Sequence, residues 1–288
     1  MDPTRLSLNQ YTVRPWSLAE AIEGCVRHEI PAIGIWRDKL AQHGVERAAR
    51  DLQAAGLRVS SLCRGGFFPA PSAAECAARI DDNRRAIEEA AAVGAPVLVL
   101  VCGPAAGSKL PEARAMVVDG IAAILPDAQA ANVRLAIEPL HPMMIAERSV
   151  VASLREANDL RDRFASPYVA VAVDVYHVFW DAHVELEIAR AGASIAGFHL
   201  SDWRTPTGDV TADRAMIGEG SIDIPALALA VEAAGYGGDI EIEILSDRLW
   251  RGDQETTLRT AIERYAELPE LPVARLRAAP EAGSPTRS

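Results

Sequence analysis

Basic side chains are in deficit: 29 Lys and Arg stand against 40 Asp and Glu, a net charge of −11 over 288 residues. A duplex nucleic-acid surface needs a clustered cationic excess, so no nucleic-acid partner is expected. Cysteine is scarce as well. Cys25, Cys63, Cys76 and Cys102 make no C-x-x-C pair and no zinc-finger spacing, which argues against a disulfide framework and for reduced, mostly buried thiols in a cytoplasmic protein. No apolar run reaches membrane-spanning length and no signal peptide is read at the start, so a soluble protein without a membrane partner is expected. No G-x-G-x-x-G follows the first expected strand, which weakens the open doubly wound sheet as an alternative fold. Aromatics make up only 5% of the chain, while 49% of it is apolar and rich in Ala and Val, a composition suited to packed helices and strands.

What is present is a rhythm of short apolar runs and amphipathic stretches. Strands are expected at Leu6–Gln10, Ala32–Trp36, Leu57–Cys63, Pro96–Cys102, Arg134–Ile137, Val169–Val173, Ile195–His199 and Asp239–Leu245. Between them lie helices beginning near Ser17, which with Glu20 makes a capping-box pattern, and at Gly44–Ala55, Ser72–Val93, Pro111–Ala130, Val150–Phe164, Glu185–Ala191 and Pro225–Ala234; Thr256–Leu268 follows the last strand. Arg64 to Pro69 reads as a loop. Eight strands alternating with eight helices predict an α/β fold, a single (β/α)₈ TIM barrel over residues 1–268. Residues 269–288, rich in Pro, Ala and Arg without an apolar face, are expected to be a flexible tail.

The run Val169 to His177, Val-Ala-Val-Ala-Val-Asp-Val-Tyr-His, is the sharpest signal. A strand of small apolar residues, buried on both faces, delivers a carboxylate and then an imidazole. The event recurs: Glu138 follows the fifth strand, Asp174 the sixth, His199 ends the seventh and Glu243 lies in the eighth. In a barrel all C-terminal strand ends open on one face, so these four converge. Three carboxylates in one place repel unless a cation joins them, and an oxygen-rich set with one imidazole suits Mn²⁺, with Mg²⁺, Co²⁺ or Zn²⁺ as alternatives. Taken singly, each has a bland explanation. Asp174 suits a helix cap, Glu138 precedes a proline, a lone His199 is commonly a core residue, and Glu241 competes with Glu243. Strand parity does not separate the two glutamates; depth favours Glu243, nearer the rim. His141, His177, Asp202, Asp213, Arg214 and Glu219 surround the set, with His177 and Arg214 placed to contact a substrate. Trp16, Trp36, Phe67 and Phe68 suit either an apolar wall or the core.

The stretches LAIEPLHP, AVDVYH, AGFHLSDW, DRAMIGEGSIDI and GYGGDIEIEIL resemble the sugar-phosphate isomerase/epimerase family with a xylose-isomerase-like barrel, over roughly residues 5 to 265. The family includes inosose isomerases and dehydratases, ketohexose 3-epimerases, hydroxypyruvate isomerases and 3-dehydroshikimate dehydratases. The resemblance implies Glu138, Asp174, His199 and Glu243 as ligands of one divalent ion, and His177 and Arg214, with His141 nearby, as substrate-binding groups. Glu138 and Glu243 then serve as the proton-transfer pair. The ion acidifies the C–H between a carbonyl and a hydroxyl and stabilises the enediolate. Return of the proton to the same carbon gives epimerisation and to its neighbour isomerisation; loss of a β-hydroxyl instead makes the enzyme a dehydratase or lyase of the inosose or dehydroshikimate type. The expected partner is a small sugar or polyol, in a monomer or homo-oligomer. Related apurinic endonucleases carry extra histidines on the third and fourth strands; here those ends read Cys-Arg-Gly-Gly and Val-Cys-Gly-Pro, against a nuclease. A non-catalytic polyol-binding barrel and a subunit of a lyase assembly are the remaining alternatives.

Overall fold

The computed structural model describes residues 1–269. The expected tail, apart from Pro269, lies outside the described residues. Ten strands occur: β1 (Leu6–Asn9), β2 (Ala32–Trp36), β3 (Arg58–Gly66), β4 (Val97–Val101), β5 (Arg134–Glu138), β6 (Val169–Asp174), β7 (Ile195–Leu200), β8 (Asp202–Trp203), β9 (Arg214–Ala215) and β10 (Ile240–Ile242). Eight of them close a barrel in the order β1-β10-β7-β6-β5-β4-β3-β2, while β8 and β9 form a separate antiparallel ribbon. Every barrel pair is parallel. Parallel neighbours need crossovers, and the helices that supply them cover the outside of the sheet. The expected fold is therefore the observed one.

Alternation along the strands sorts the core into two layers. Outward residues such as Leu62, Leu98, Leu100, Ile137, Val171 and Val173 join the main cluster with the helices. Inward ones, Trp36, Cys63, Val97, Val99, Ala136 and Ala172, fill the barrel. Small inward residues on β5 and β6 leave room for the polar side chains one step nearer the rim, Glu138 and Asp174. The outer layer carries the stability: truncating a fully buried residue such as Leu98 to Ala removes about 2–5 kcal/mol.

Local rules explain most boundaries. Ser17 and Glu20 form the expected reciprocal cap on the helix Leu18–Arg27. The fifth expected helix starts later than its apolar pattern, at Leu154, because Ser153 caps it and the residues before it are tied down. There the Val150 N–H donates to the Gly103 carbonyl and the Val151 carbonyl accepts from Leu140. β3 runs on through Arg64, Gly65 and Gly66, where a loop is expected; Cys63 pairs with Val99 and Gly65 with Leu100, so Arg64 bulges out of register. The last barrel strand is shorter than expected, and Glu243 lies just beyond it, its N–H donating to the Leu200 carbonyl. All four cysteines are free, and all but Cys76 are buried. Among the described residues no helix is long and apolar enough to cross a membrane.

Candidate metal centre

Each member of the expected set is delivered by its strand. Glu138 ends β5 and Asp174 ends β6; Asp174 is the register partner of His199 on β7, and His199 is the partner of Glu241 on β10. One ligand atom from each of Glu138, Asp174, His199 and Glu243 lies within 4.8 Å of the other three, and all four residues are buried. Depth in the barrel, the criterion that favours Glu243 over Glu241, matches this grouping.

Asp174 divides its carboxylate. Oδ1 accepts the Tyr176 N–H at 2.9 Å and caps the single turn Val175–Val178, while Oδ2 accepts from Arg214 Nη1 at 2.8 Å. One side chain thus caps the turn and also belongs to the acidic cluster. That turn carries His177, at 2% exposure, to 3.5 Å from Asp174 Oδ2. His199 turns Nδ1 toward Glu138 Oε1 at 3.1 Å and Glu243 Oε2 at 3.6 Å. Its other nitrogen has no hydrogen-bond partner and faces Glu241 at 3.9 Å.

Arg214 departs most from expectation. The sequence places it in a long, glycine-bounded loop at the barrel mouth; the structure puts it on β9, 3% exposed, with its guanidinium in the carboxylate cluster. Nη1 donates to Asp174, to Glu243 Oε2 at 3.2 Å and to the Glu243 carbonyl at 3.1 Å, and lies 3.3 Å from Ser201 Oγ. Nη2 is 3.1 Å from His177 Nε2, and the guanidinium carbon stands 4.5 Å from the centre of the Tyr176 ring. Arg214 therefore neutralises part of the cluster besides facing the cavity.

The electrostatics follow from burial and these pairings. Burial pushes the Glu138 carboxyl up to about 7, against the pull of His199. Burial acts on Glu243 in the same sense but is outweighed by Arg214 and His199, which hold it down at about 2. His177 is pushed down to about 3 by burial, reinforced by Arg214, and is neutral at physiological pH. His199, despite burial, is held well above its usual range by Glu241, Glu138 and Glu243. Three carboxylates with one imidazole and one shared guanidinium still leave an excess of negative charge. Such a donor set fits a divalent cation that prefers oxygen ligands.

The other candidates separate cleanly. His141 is stacked on Trp203 at 4.7 Å, and it is the His141 backbone N–H, not the ring, that meets His177 Nδ1 at 3.2 Å. Asp202 is a loop organiser: its carboxylate accepts N–H groups of Trp203, Gly218, Gly220 and Ile222. Asp213 pairs with Arg204, and the exposed Glu219 with Arg248. Trp36 and Phe67 line the mouth, whereas Phe68 and Trp16 pack in or against the core.

Sequence reasoning missed the support beneath the set. Glu241 lies below His199 and accepts from Asn9 Nδ2 at 3.0 Å. Asn9 Oδ1 in turn accepts from Trp36 Nε1 at 2.8 Å. Gly34 makes room for this: a Cβ there would stand 2.3 Å from Glu241 Oε2. The available signal was the polar Asn9 at the end of β1, aligned with Gly34 in register.

Among solved structures, protein SMc04130 from Sinorhizobium meliloti 1021 is 46% identical, with a TM-score of 0.91 over 93% of this chain and 100% of that one. The IOLI protein with a bound zinc atom is 19% identical, TM-score 0.79, over 92% and 97%. A D-psicose 3-epimerase studied in the presence of D-fructose is 17% identical, TM-score 0.74, over 91% and 97%. No curated protein matches. Residues 19–268 match the model of the xylose isomerase-like TIM barrel, and with the closed barrel and its rim of acidic residues already described, the chain belongs to that family.

Proposed function

We propose that this protein is a divalent-metal-dependent isomerase or epimerase, acting on a small sugar, polyol or related hydroxy-carbonyl compound by moving a proton at carbon. The observation that carries the reading is the grouping of Glu138, Asp174, His199 and Glu243 within 4.8 Å in a buried cavity. These residues would hold the ion, Mn²⁺ for preference in an oxygen-rich set, with Mg²⁺, Co²⁺ or Zn²⁺ as alternatives. When bound, the ion supplies the positive charge that acidifies a C–H beside a carbonyl.

The chain supplies the rest. Glu138 and Glu243 come from β5 and the end of β10, which are separated around the barrel by β6 and β7. Two carboxylates approaching from different strands suit removal of a proton by one and delivery by the other. Burial raises the Glu138 carboxyl in the metal-free cluster, and a bound cation would draw it down again, which suits Glu138 to take a proton from carbon. Glu243, beside Arg214, stays ionised. Neutral His177 and the Arg214 fork orient hydroxyl and carbonyl oxygens. Leu140, Met144 and Val101 close the inner cavity on its apolar side and limit water. The enzyme is read as cytoplasmic, from its reduced cysteines.

The test is proton NMR in D₂O on a panel of aldoses, ketoses, inososes and dehydroshikimate, with chelated and Mn²⁺-loaded protein. Metal-dependent deuterium entry beside a carbonyl supports the reading, and a vinylic product would place the enzyme among dehydratases. No exchange on any compound counts against both.

A further inference from the structure

The inner cavity, about 30 Å³, holds Glu138, Glu243, His177 and Arg214, and Arg148 also lines it. Trp36 and Cys63 separate it from a larger cavity of about 310 Å³, lined among others by Tyr11, Arg64, Phe67 and Arg79. Arg64 and Arg148 are both partly buried. Among the described residues, no carboxylate oxygen lies within 4.0 Å of either guanidinium. Other partly buried arginines have partners: Arg37 grips Asp82 and Glu89, Arg5 grips Glu232, and Arg134, also without a carboxylate, donates to the carbonyls of Pro167, Ala193 and Ser194. Asp82, an acid near Arg64, is committed to Arg37 and Arg85 at 3.0 and 3.2 Å.

Arg64 is also built into position. It is the bulged residue of β3, and the segment is pinned by buried Asn83, whose Oδ1 accepts the Gly66 N–H at 2.6 Å and whose Nδ2 donates to the Gly66 carbonyl at 2.8 Å. Gly66 is required there, with φ +97° and the Val101 carbonyl oxygen 2.0 Å from where a Cβ would be. The guanidinium then lies on the Phe67 ring, 3.8 Å from its centre. Burial lowers the Arg64 guanidinium from its ordinary range, and the like charges of Arg148 and Arg37 act in the same direction. Two partly buried cations on adjoining cavities, without a carboxylate partner among the described residues, are an unfavourable arrangement that an anion relieves.

We propose that Arg64 and Arg148 form a subsite for an anionic group on the substrate, a carboxylate or a phosphate, at the end remote from the reacting carbon. The substrate class is then an acidic or phosphorylated sugar-like compound, and this step rests on the hydroxy-carbonyl reading of the metal centre. The inner cavity takes the reacting end. Arg148, on the wall of the inner cavity, and Arg64, beyond Trp36 and Cys63 in the larger one, flank the charged end with N–H donors that suit either oxyanion.

Calorimetric titration of the Mn²⁺-loaded protein with D-fructose, D-gluconate and D-fructose 6-phosphate tests this. One or both anionic probes should bind at least about ten-fold more tightly than D-fructose, the size expected of one charged hydrogen bond. Whether gluconate or the phosphate gains tells which oxyanion fits. In Arg64→Met/Arg148→Met the preference should vanish while D-fructose affinity holds, and Arg64→Lys/Arg148→Lys should restore part of it. If the double Met variant does not fold, each single Met variant should show a partial loss. Equal affinities in the parent protein, or a preference that survives removal of both guanidinium groups, would overturn the proposal. Arginine-dependent anion binding without deuterium exchange on any compound keeps the subsite and removes the isomerase reading. Exchange on D-fructose without an anion preference does the reverse.

Discussion

The two halves of the barrel mouth are built from different chemistry. From β5 through β6 and β7 to β10, every strand end carries an ionisable side chain, Glu138, Asp174, His199 and Glu243, packed against one another and against Arg214. From β1 to β4 the rim carries Asn9, stacked Tyr11 and Trp36 with ring centres 3.6 Å apart, Cys63, Arg64 and apolar Val101. One half has charge that must be compensated internally; the other has flat surfaces and cations left for something else. On the proposed reading, proton transfer belongs to the β5–β10 side, and the β1–β4 side contributes Arg64 and an aromatic wall to binding the rest of the substrate. A buried side-chain thread crosses between them, from Glu241 through Asn9 to Trp36.

Breaking the acidic half should have the largest effect. Glu138→Gln and Glu243→Gln keep volume and remove the proton-transfer group, so deuterium exchange should fall by about 10²-fold or more. Near-normal exchange in either variant takes that residue out of the chemistry.

Arg214→Met tests the compensation inside that half. Removing one partner of a buried charge cluster costs about 3–5 kcal/mol, so the chelated variant should melt well below the parent protein. Added Mn²⁺ should restore much of the loss, since Asp174 and Glu243 regain a cation. Equal melting temperatures with and without Arg214 in chelator would show that these carboxylates do not depend on it.

The joining thread is expected to matter less. Glu241→Gln keeps the Asn9 contact through its amide oxygen but takes away the charge facing His199 Nε2. Weaker Mn²⁺ affinity, of the 10- to 100-fold order usual for groups that support a ligand, should be read by calorimetry. Unchanged affinity would make Glu241 a packing residue only.

Trp36→Phe, on the opposite half, should do least. It deletes the Nε1–H donated to Asn9, worth about 1 kcal/mol, while keeping much of the ring. Substrate KM should rise with kcat nearly unchanged; a collapse of kcat would contradict the division of labour.

How legible these halves were in the sequence differs for physical reasons. The acidic half is local: an uninterrupted apolar run ending in Asp174, or Phe198-His199, announces both strand and polar end, and barrel closure then brings strand ends together. The fold followed from the alternation of such runs with amphipathic stretches. Arg214 was legible as a residue of the barrel mouth but not as a buried one, because its burial depends on carboxylates 29 and 40 residues away in the chain. His141 reaches His177 through its backbone rather than its ring, a contact that side-chain chemistry does not announce. The opposite half was read least well. Arg64-Gly65-Gly66 looks like a loop by composition, yet pairing with β4 and the clasp of Asn83 keep it in the sheet. Nothing local marks an arginine that has no partner, because that is a property of the whole surrounding fold.

The central claim is that the acidic half holds one divalent ion, and anomalous diffraction at the manganese edge from a crystal grown with Mn²⁺ tests it directly. The account predicts a single strong peak per chain, within about 2.0–2.6 Å of one atom each from Glu138, Asp174, His199 and Glu243, with Arg214 withdrawn from Asp174. A crystal showing no peak among these side chains, with the Arg214 guanidinium still bound to Asp174 and Glu243 in the presence of excess Mn²⁺, would contradict it.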